Sequence, residues 1–107
     1  MSEVLDRIRT LVARGQIATS VHGFRELAAD GILLDDVTGG VGASMVVVEE
    51  YPDAFKGPSV LVLQRDRDGK PLHVLWGIPK GADGPATIIT AYRPKASRWS
   101  NDFMRRR

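Results

Sequence analysis

The chain contains no cysteine, which excludes a disulfide framework, a thiol nucleophile and any cysteine-based zinc site. Histidine is nearly as scarce. His22 and His73 are the only two, so neither a metal centre nor a cofactor is expected. No GxxxxGK, GxGxxG or GxSxG pattern occurs, which leaves nucleotide hydrolases, dinucleotide enzymes and elbow-type serine hydrolases without support. No apolar run reaches membrane length, and the opening MSEVLDRIRTLVARG interleaves charges where a signal peptide would be apolar. A soluble, cytoplasmic protein with no membrane contact is the expectation. Repeats, low-complexity linkers and composition breaks are also missing, and 107 residues suit one domain, 1–107, with its own core.

Charge is present but unevenly placed. The formal net charge of +2 divides into −5 for residues 1–54 and +7 for residues 55–107, ending in Arg105, Arg106 and Arg107. Such a split suits a protein that turns one basic face to a polyanion. The terminal arginines taken alone read as a flexible basic tail over 104–107.

Periodicity places helices first. Val4, Leu5, Ile8, Leu11 and Val12 recur at helical spacing, with Ser2 as cap, and predict an N-terminal helix within 1–16 that ends near Gly15. A short extended piece follows at Ile17 and Ala18. A second helix is capped by Thr19 or Ser20, with Val21, Phe24, Leu27 and Ala28 as its buried stripe. A brief third helical segment runs from Asp35 until Gly39-Gly40. Four strands are then predicted at 45–51, 59–65, 71–78 and 86–93, all rich in aliphatic or aromatic residues. Asp68-Gly69 signals a hairpin, and its DRDGK context lacks the later ligands of a calcium loop. Trp99 and Phe103, four apart in SRWSNDF, suggest a short C-terminal helix. The fold class expected is α+β, with N-terminal helices packed on a four-stranded, mainly antiparallel sheet.

His73 draws attention because it interrupts the apolar strand LHVLWGIPKG. A two-residue turn at Asp68-Gly69 would set Gln64 opposite His73, with Leu72, Val74, Trp76 and Ile78 facing the helices and His73 and Gln64 on the other face. Thr90, Tyr92 and Arg93 gather at the end of the last strand. Lys80 and Lys56 sit in flanking loops. A His, Gln and Tyr cluster rimmed by cations has the parts for metal-free RNA cleavage, in which a base activates the ribose 2′-hydroxyl and cations hold the phosphate. A half-buried histidine with satisfied hydrogen bonds explains His73 equally well. His22, in the first turn of helix two with Arg25 nearby, could face a phosphate, but an i,i+4 pair with Glu26 is the better reading from the residues alone. Trp76 and Trp99 read as core and lid packing.

Taken in order, SVHGFRELAADGI, MVVVEEYPD, KGPSVLVLQRDRDGKPLHVLWGIPKG and TAYRPKASRWSNDF resemble domain-of-unknown-function family 4258. The likeness covers nearly everything after the first helix and is most specific at the helix histidine, PLHVLWG and TAYRP. That resemblance implies a RelE-like, microbial-RNase-like fold, related to toxins of type II toxin-antitoxin systems and to the MqsR messenger-RNA interferases. It implies roles for His22, for His73, and for Tyr92 with Arg93. The chain departs from the family pattern where Arg25-Glu26 stands in place of an acidic-then-basic pair and Asp30 precedes Gly31.

The resulting expectation is a ribonuclease toxin. His73, Tyr92, Gln64 and His22 are the catalytic candidates, and Arg93, Lys80, Arg25 and Lys56 the phosphate-binding ones. The partners implied are RNA, free or on the ribosome, and a cognate antitoxin of the zinc-finger MqsA kind. The alternatives are a non-catalytic protein- or nucleic-acid-binding module on the same fold, and gyrase poisoning of the ParE type. Oligomeric state is not readable from the sequence.

Overall fold

The computed structural model describes residues 2–42 and 44–107. Helix α1 (Glu3–Ala13) is capped by Ser2, whose hydroxyl accepts from Leu5 N at 3.1 Å. Its stripe Val4, Leu5, Ile8 and Leu11 is buried as the spacing predicts, worth roughly 1.5–3 kcal/mol for each fully buried aliphatic side chain. The extended piece after it is a true strand, β1 (Ile17–Thr19). It leads into α2 (Val21–Ala29) and α3 (Leu34–Gly39), and then into β2 (Val46–Tyr51), β3 (Ser59–Arg65), β4 (Pro71–Gly77) and β5 (Ala86–Tyr92).

The sheet has five strands in the order β1-β5-β4-β3-β2, where the sequence suggested four. It is mixed: β1 lies parallel to β5, and the other pairings are antiparallel. Three residues are too few to register as a strand by alternation, and only pairing to a remote strand defines them. Apart from β1, the strands follow the helices in the chain, and the α+β class holds. One sheet face, carrying Val60, Val62, Leu72, Val74, Trp76, Ile88 and Ala91, packs with α1 and Val37 of α3 into the core.

Helix α2 departs from the expected stripe. Gly23 and Leu27 are its buried residues, whereas Val21 and Phe24 are 70% and 66% exposed. The helix lies against the backbone of β5, where a Cβ on Gly23 would come 2.5 Å from the Ile88 carbonyl. Ser20 fastens the start, accepting from Gly23 N and donating to the Ile89 carbonyl. Asp30 fastens the end by accepting from Arg93 N at 2.9 Å. Helix α2 thus shields the part of the β5 edge that β1 leaves uncovered.

The β3–β4 hairpin corrects the expected register by one residue. Asp66 N donates to Lys70 O, and Gly69 N donates to Asp66 O, so the loop has three residues, with Gly69 at φ +77°. The Asp66 carboxylate selects this turn by accepting from both Asp68 N and Lys70 N at 2.9 Å, an aspartate turn that a two-residue loop could not satisfy. Leu63, not Gln64, therefore pairs with His73, and Gln64 pairs with Leu72. A one-residue slip moves a side chain to the other face.

Gln64 consequently sits in the core, 1% exposed. Its Nε2 donates to Val37 O at 2.7 Å and its Oε1 accepts from Trp76 Nε1 at 3.2 Å. It joins α3 to the central indole and is no part of a catalytic face. Gln64→Leu is expected to lower stability by about 2 kcal/mol, because it strands a buried N–H and a carbonyl together. Urea unfolding measures this directly, and a midpoint unchanged from wild type would refute the structural role.

The C-terminal segment also differs from expectation. No helix forms after β5. Residues 95–107 instead fold into successive turns closed by a Trp99–Arg106 bridge. Ser100 N donates to Arg105 O and Arg107 N to Arg98 O, both at 2.8 Å. The Asp102 carboxylate accepts from Ser100 Oγ and Met104 N. The basic tail expected to be flexible is thus tied down by its own hydrogen bonds.

Candidate functional site

His73 lies on the sheet face turned away from the helices, with Leu63 beside it on β3 and Tyr92 on β5. The alternation reading of its face is right, and it is fully buried. Both ring nitrogens are engaged: Nδ1 is 3.1 Å from the Tyr92 hydroxyl and Nε2 is 2.8 Å from the Phe103 carbonyl oxygen. A carbonyl can only accept, so Nε2 carries the proton. In the neutral ring Nδ1 must then accept from Tyr92 Oη. Trp99 closes the site from above, its ring centroid 4.3 Å from that of His73 at 85°, and Tyr92 meets the imidazole edge-on at 5.3 Å.

A charged pair completes the cover. Arg106 binds Glu49 of β2 at 2.6 Å and lies 4.8 Å over the Trp99 ring. The Arg106 hydrogen bond holds the Glu49 carboxyl below the usual carboxylate value, and Glu49 in turn raises Arg106. Burial pushes the His73 pKa below its ordinary 6.5. The Phe103 carbonyl and Glu49 oppose that shift, while the Arg106 charge adds to it. Tyr92 is raised, chiefly by burial.

Because the folded pKa of His73 lies below its unfolded value, the unfolded chain takes up the proton first on acidification. The stability that neutral His73 contributes is therefore complete above about pH 6.5 and is lost as pH falls toward the folded pKa. The slope for one such proton is at most about 1.4 kcal/mol per pH unit. Urea midpoints should decline from about pH 7 to about pH 5.5 in the wild type, and His73→Gln should remove that decline. Equal slopes in the two proteins would show that His73 is not the responsible group. The carboxylates held low, Glu49, Asp66 and Asp102, titrate further down the pH scale and leave this window clear.

Beside Tyr92 opens a cleft of about 780 Å³ whose lining includes Arg93, Lys95, Arg98, Arg106 and Arg107, with Asp30 as its one carboxylate among the described residues. Arg93 is committed at its rim: a guanidinium nitrogen sits 3.0 Å from Asp66 Oδ2, and its N–H binds Asp30. Arg107 donates to the Ala96 and Trp99 carbonyls. Lys95 and Arg98 have no ion-pair partner among the described residues, which leaves them available to an anion.

The other predicted residues lie apart from this cluster. His22 is 3.2 Å from Glu26 Oε1, with its side chain 66% exposed, as the i,i+4 reading anticipates. With Lys56 it lines a separate apolar groove of about 340 Å³, to which Gly77, Ile78 and Ile89 also contribute. Lys80 rests 5.7 Å over the Phe55 ring. Arg25 is exposed on α2. The structure thus joins His73, Tyr92 and Arg93 at one site, pairs His22 with Lys56 at another, and leaves Gln64 in the core.

Sequence reading missed the Phe103 carbonyl and the Arg106–Glu49 pair. A backbone acceptor has no residue signature, and an ion pair between positions 57 residues apart leaves no local spacing to detect. Trp99 as a lid was legible.

A family model described as a domain of unknown function, DUF4258, matches residues 19–93. The chain belongs to this DUF4258 family. No curated protein and no solved structure matches it. The family match runs from Thr19, the last residue of β1, to Arg93 just after β5, and so includes His22, His73 and Tyr92. Trp99, Phe103 and Arg106, which cover His73, lie beyond the matched region. Among the described residues no helix is long and apolar enough to cross a membrane.

Proposed function

We propose that this DUF4258 protein is a RelE-like toxin that acts as a metal-independent endoribonuclease. The observation that carries this reading is the hydrogen bond between buried His73 and Tyr92, Tyr92 itself lining a cleft with five cations. Backbone phosphates would bind along Lys95 and Arg98, with Arg106 joining them on release from Glu49. His73 would remove the proton of a ribose 2′-hydroxyl, whose oxygen attacks the adjacent phosphorus. The bond to the 5′-oxygen breaks, leaving a 2′,3′-cyclic phosphate on one product, and a proton returned to that oxygen completes the step. Tyr92 orients the imidazole. The antiparallel run β2 to β5 after the three helices supports the RelE-like reading, and an antitoxin covering the basic cleft is the partner that this reading implies.

The test is incubation of purified protein with RNA in excess chelator, followed by analysis of product ends. Cleavage with cyclic phosphate termini is expected, reduced about 10- to 100-fold in Tyr92→Phe, a typical loss for a partner that orients a working side chain. Dependence on added metal, or products with 5′-hydroxyl ends absent, would overturn the mechanism.

A second reading has its own support. With both nitrogens bonded and no exposure, His73 fulfils a purely architectural role in the conformation described, which favours a non-catalytic RNA-binding module. That module would shift RNA in a gel without cutting it, and charge reversal at Lys95 and Arg98 would abolish the shift.

A further inference from the structure

Two features of the site are at odds with an open ribonuclease. The first is that the group proposed as base has its outward nitrogen, Nε2, held as N–H by the Phe103 carbonyl, and a protonated nitrogen cannot accept a proton from a 2′-hydroxyl. The second is that the cleft cations Arg106 and Arg107 are spent on Glu49 and on backbone carbonyls. One segment, residues 95–107, causes both.

That segment is built to move as a unit. Its turns are closed by hydrogen bonds within itself, from Lys95 to Arg107, so lifting it need not cost them. Its fastenings to the sheet are the Trp99 ring on His73, the Phe103 carbonyl on Nε2, and the Arg106–Glu49 pair with both side chains partly exposed. Phe103 has φ +62°, a left-handed conformation that is strained for a residue bearing a side chain. It takes up that conformation in the turn that directs its carbonyl at His73. Pro94, lacking an N–H, precedes the segment where the β5 ladder ends.

We propose that residues 95–107 are an autoinhibitory cap seated over His73, and that a single-stranded RNA nucleotide displaces it from the imidazole, Lys95, Arg98 and Arg106 moving with the cap and keeping hold of the phosphates. Trp99 holds the position that an unpaired base would take over the imidazole, and the Phe103 carbonyl holds that of the ribose 2′-hydroxyl. Arg106 leaves Glu49 for a phosphate oxygen. With the carbonyl gone the imidazole exchanges tautomer through solvent: the proton moves to Nδ1, where Tyr92 Oη accepts it, and Nε2 becomes the base. The cap therefore holds His73 in the inactive tautomer as well as covering it. This inference rests on the ribonuclease reading for its substrate, and on geometry alone for its movement.

The experiment uses the full chain with Glu49→Gln, which weakens one fastening while leaving every cation of the cleft unsubstituted. Carbethoxylation by diethylpyrocarbonate is followed at each histidine. His22, exposed on α2, serves as the internal reference in a chain with two histidines. Loss of a partly exposed ion pair should raise the His73 modification rate about fivefold, leave that of His22 unchanged, and raise RNA cleavage in step. A short 2′-O-methyl oligoribonucleotide ending in one unmodified 3′-terminal ribonucleotide, which keeps a 2′-hydroxyl able to donate but has no phosphodiester beside it to cleave, should turn the wild-type His73 nitrogen spectrum from the Nε2–H to the Nδ1–H form. Trp99→Ala provides a second variant, with folding of each checked by its amide spectrum. If His73 becomes reactive and no RNA is cut, the cap stands and the ribonuclease reading fails. If His73 stays protected and its tautomer fixed in both folded variants, the segment is a permanent wall and the proposal is overturned.

Discussion

Gly57→Ala is expected to cost on the order of 3 kcal/mol or more, a large part of the stability of a domain this size. Gly57 has φ +130°, and a Cβ there would stand 2.0 Å from the Ile78 carbonyl oxygen and 2.7 Å from Lys80 N. Every one of those atoms is backbone, so no side chain can swing aside. Two hydrogen bonds hold the strands together at this point, Ile78 N to Pro58 O and Lys80 N to Lys56 O, and a methyl group at 57 would have to part them. The thermal midpoint should fall by more than about 10 °C, given roughly 4–8 °C per kcal/mol for domains near this length. Gly69→Ala is the control. Its φ is also positive, at +77°, but its Cβ would meet nothing within 4 Å, so a loss of only about 1–2 kcal/mol is expected. Equal losses in a calorimetric scan would show that the close approach at Gly57 is not what matters.

On the proposed ribonuclease reading, His73→Gln should reduce RNA cleavage by about 10²- to 10⁴-fold, the usual contribution of a positioned base. Glutamine retains an N–H that can reach the Phe103 carbonyl, so the cap keeps its seat and the domain its fold. What it lacks is a nitrogen able to take up and release a proton near neutral pH. Binding of the 2′-O-methyl oligoribonucleotide should change little, because the same proposal assigns the phosphates to Lys95, Arg98 and Arg106 of the cleft. The same variant should therefore separate chemistry from affinity. Cleavage at the wild-type rate would assign the chemistry elsewhere and return His73 to an architectural role.

Helix α2 and the β3–β4 hairpin show where sequence patterns lose their force. Val21, Phe24, Leu27 and Ala28 form an apolar stripe, yet the helix buries Gly23 and Leu27, because it packs on strand backbone and the close approach demands a residue without a side chain. Periodicity counts apolar residues and gives no weight to a glycine. At the hairpin, Asp68-Gly69 marks the turn correctly, but the length of the loop depends on whether Asp66 turns its carboxylate inward to the two amides. One residue of register decides whether Gln64 is a catalytic neighbour or a core bridge.

By itself the sequence determined the α+β class, the single amphipathic N-terminal helix, four of the five strands nearly to the residue, and the face of the sheet on which His73 lies. These follow from local periodicity, where each residue's environment repeats at the spacing of its own element. It also determined that Tyr92 and basic residues would gather late in the chain. Tertiary structure alone decided that β1 completes the sheet beside β5, that Gln64 and His73 part company, and that His22 belongs to a different groove. It decided as well that the C-terminal segment folds back so that a backbone carbonyl, a tryptophan and an ion pair to β2 close over the imidazole. Each of these depends on contacts between positions far apart in the chain, and a carbonyl oxygen, which every residue possesses, is informative only once the fold has aimed it.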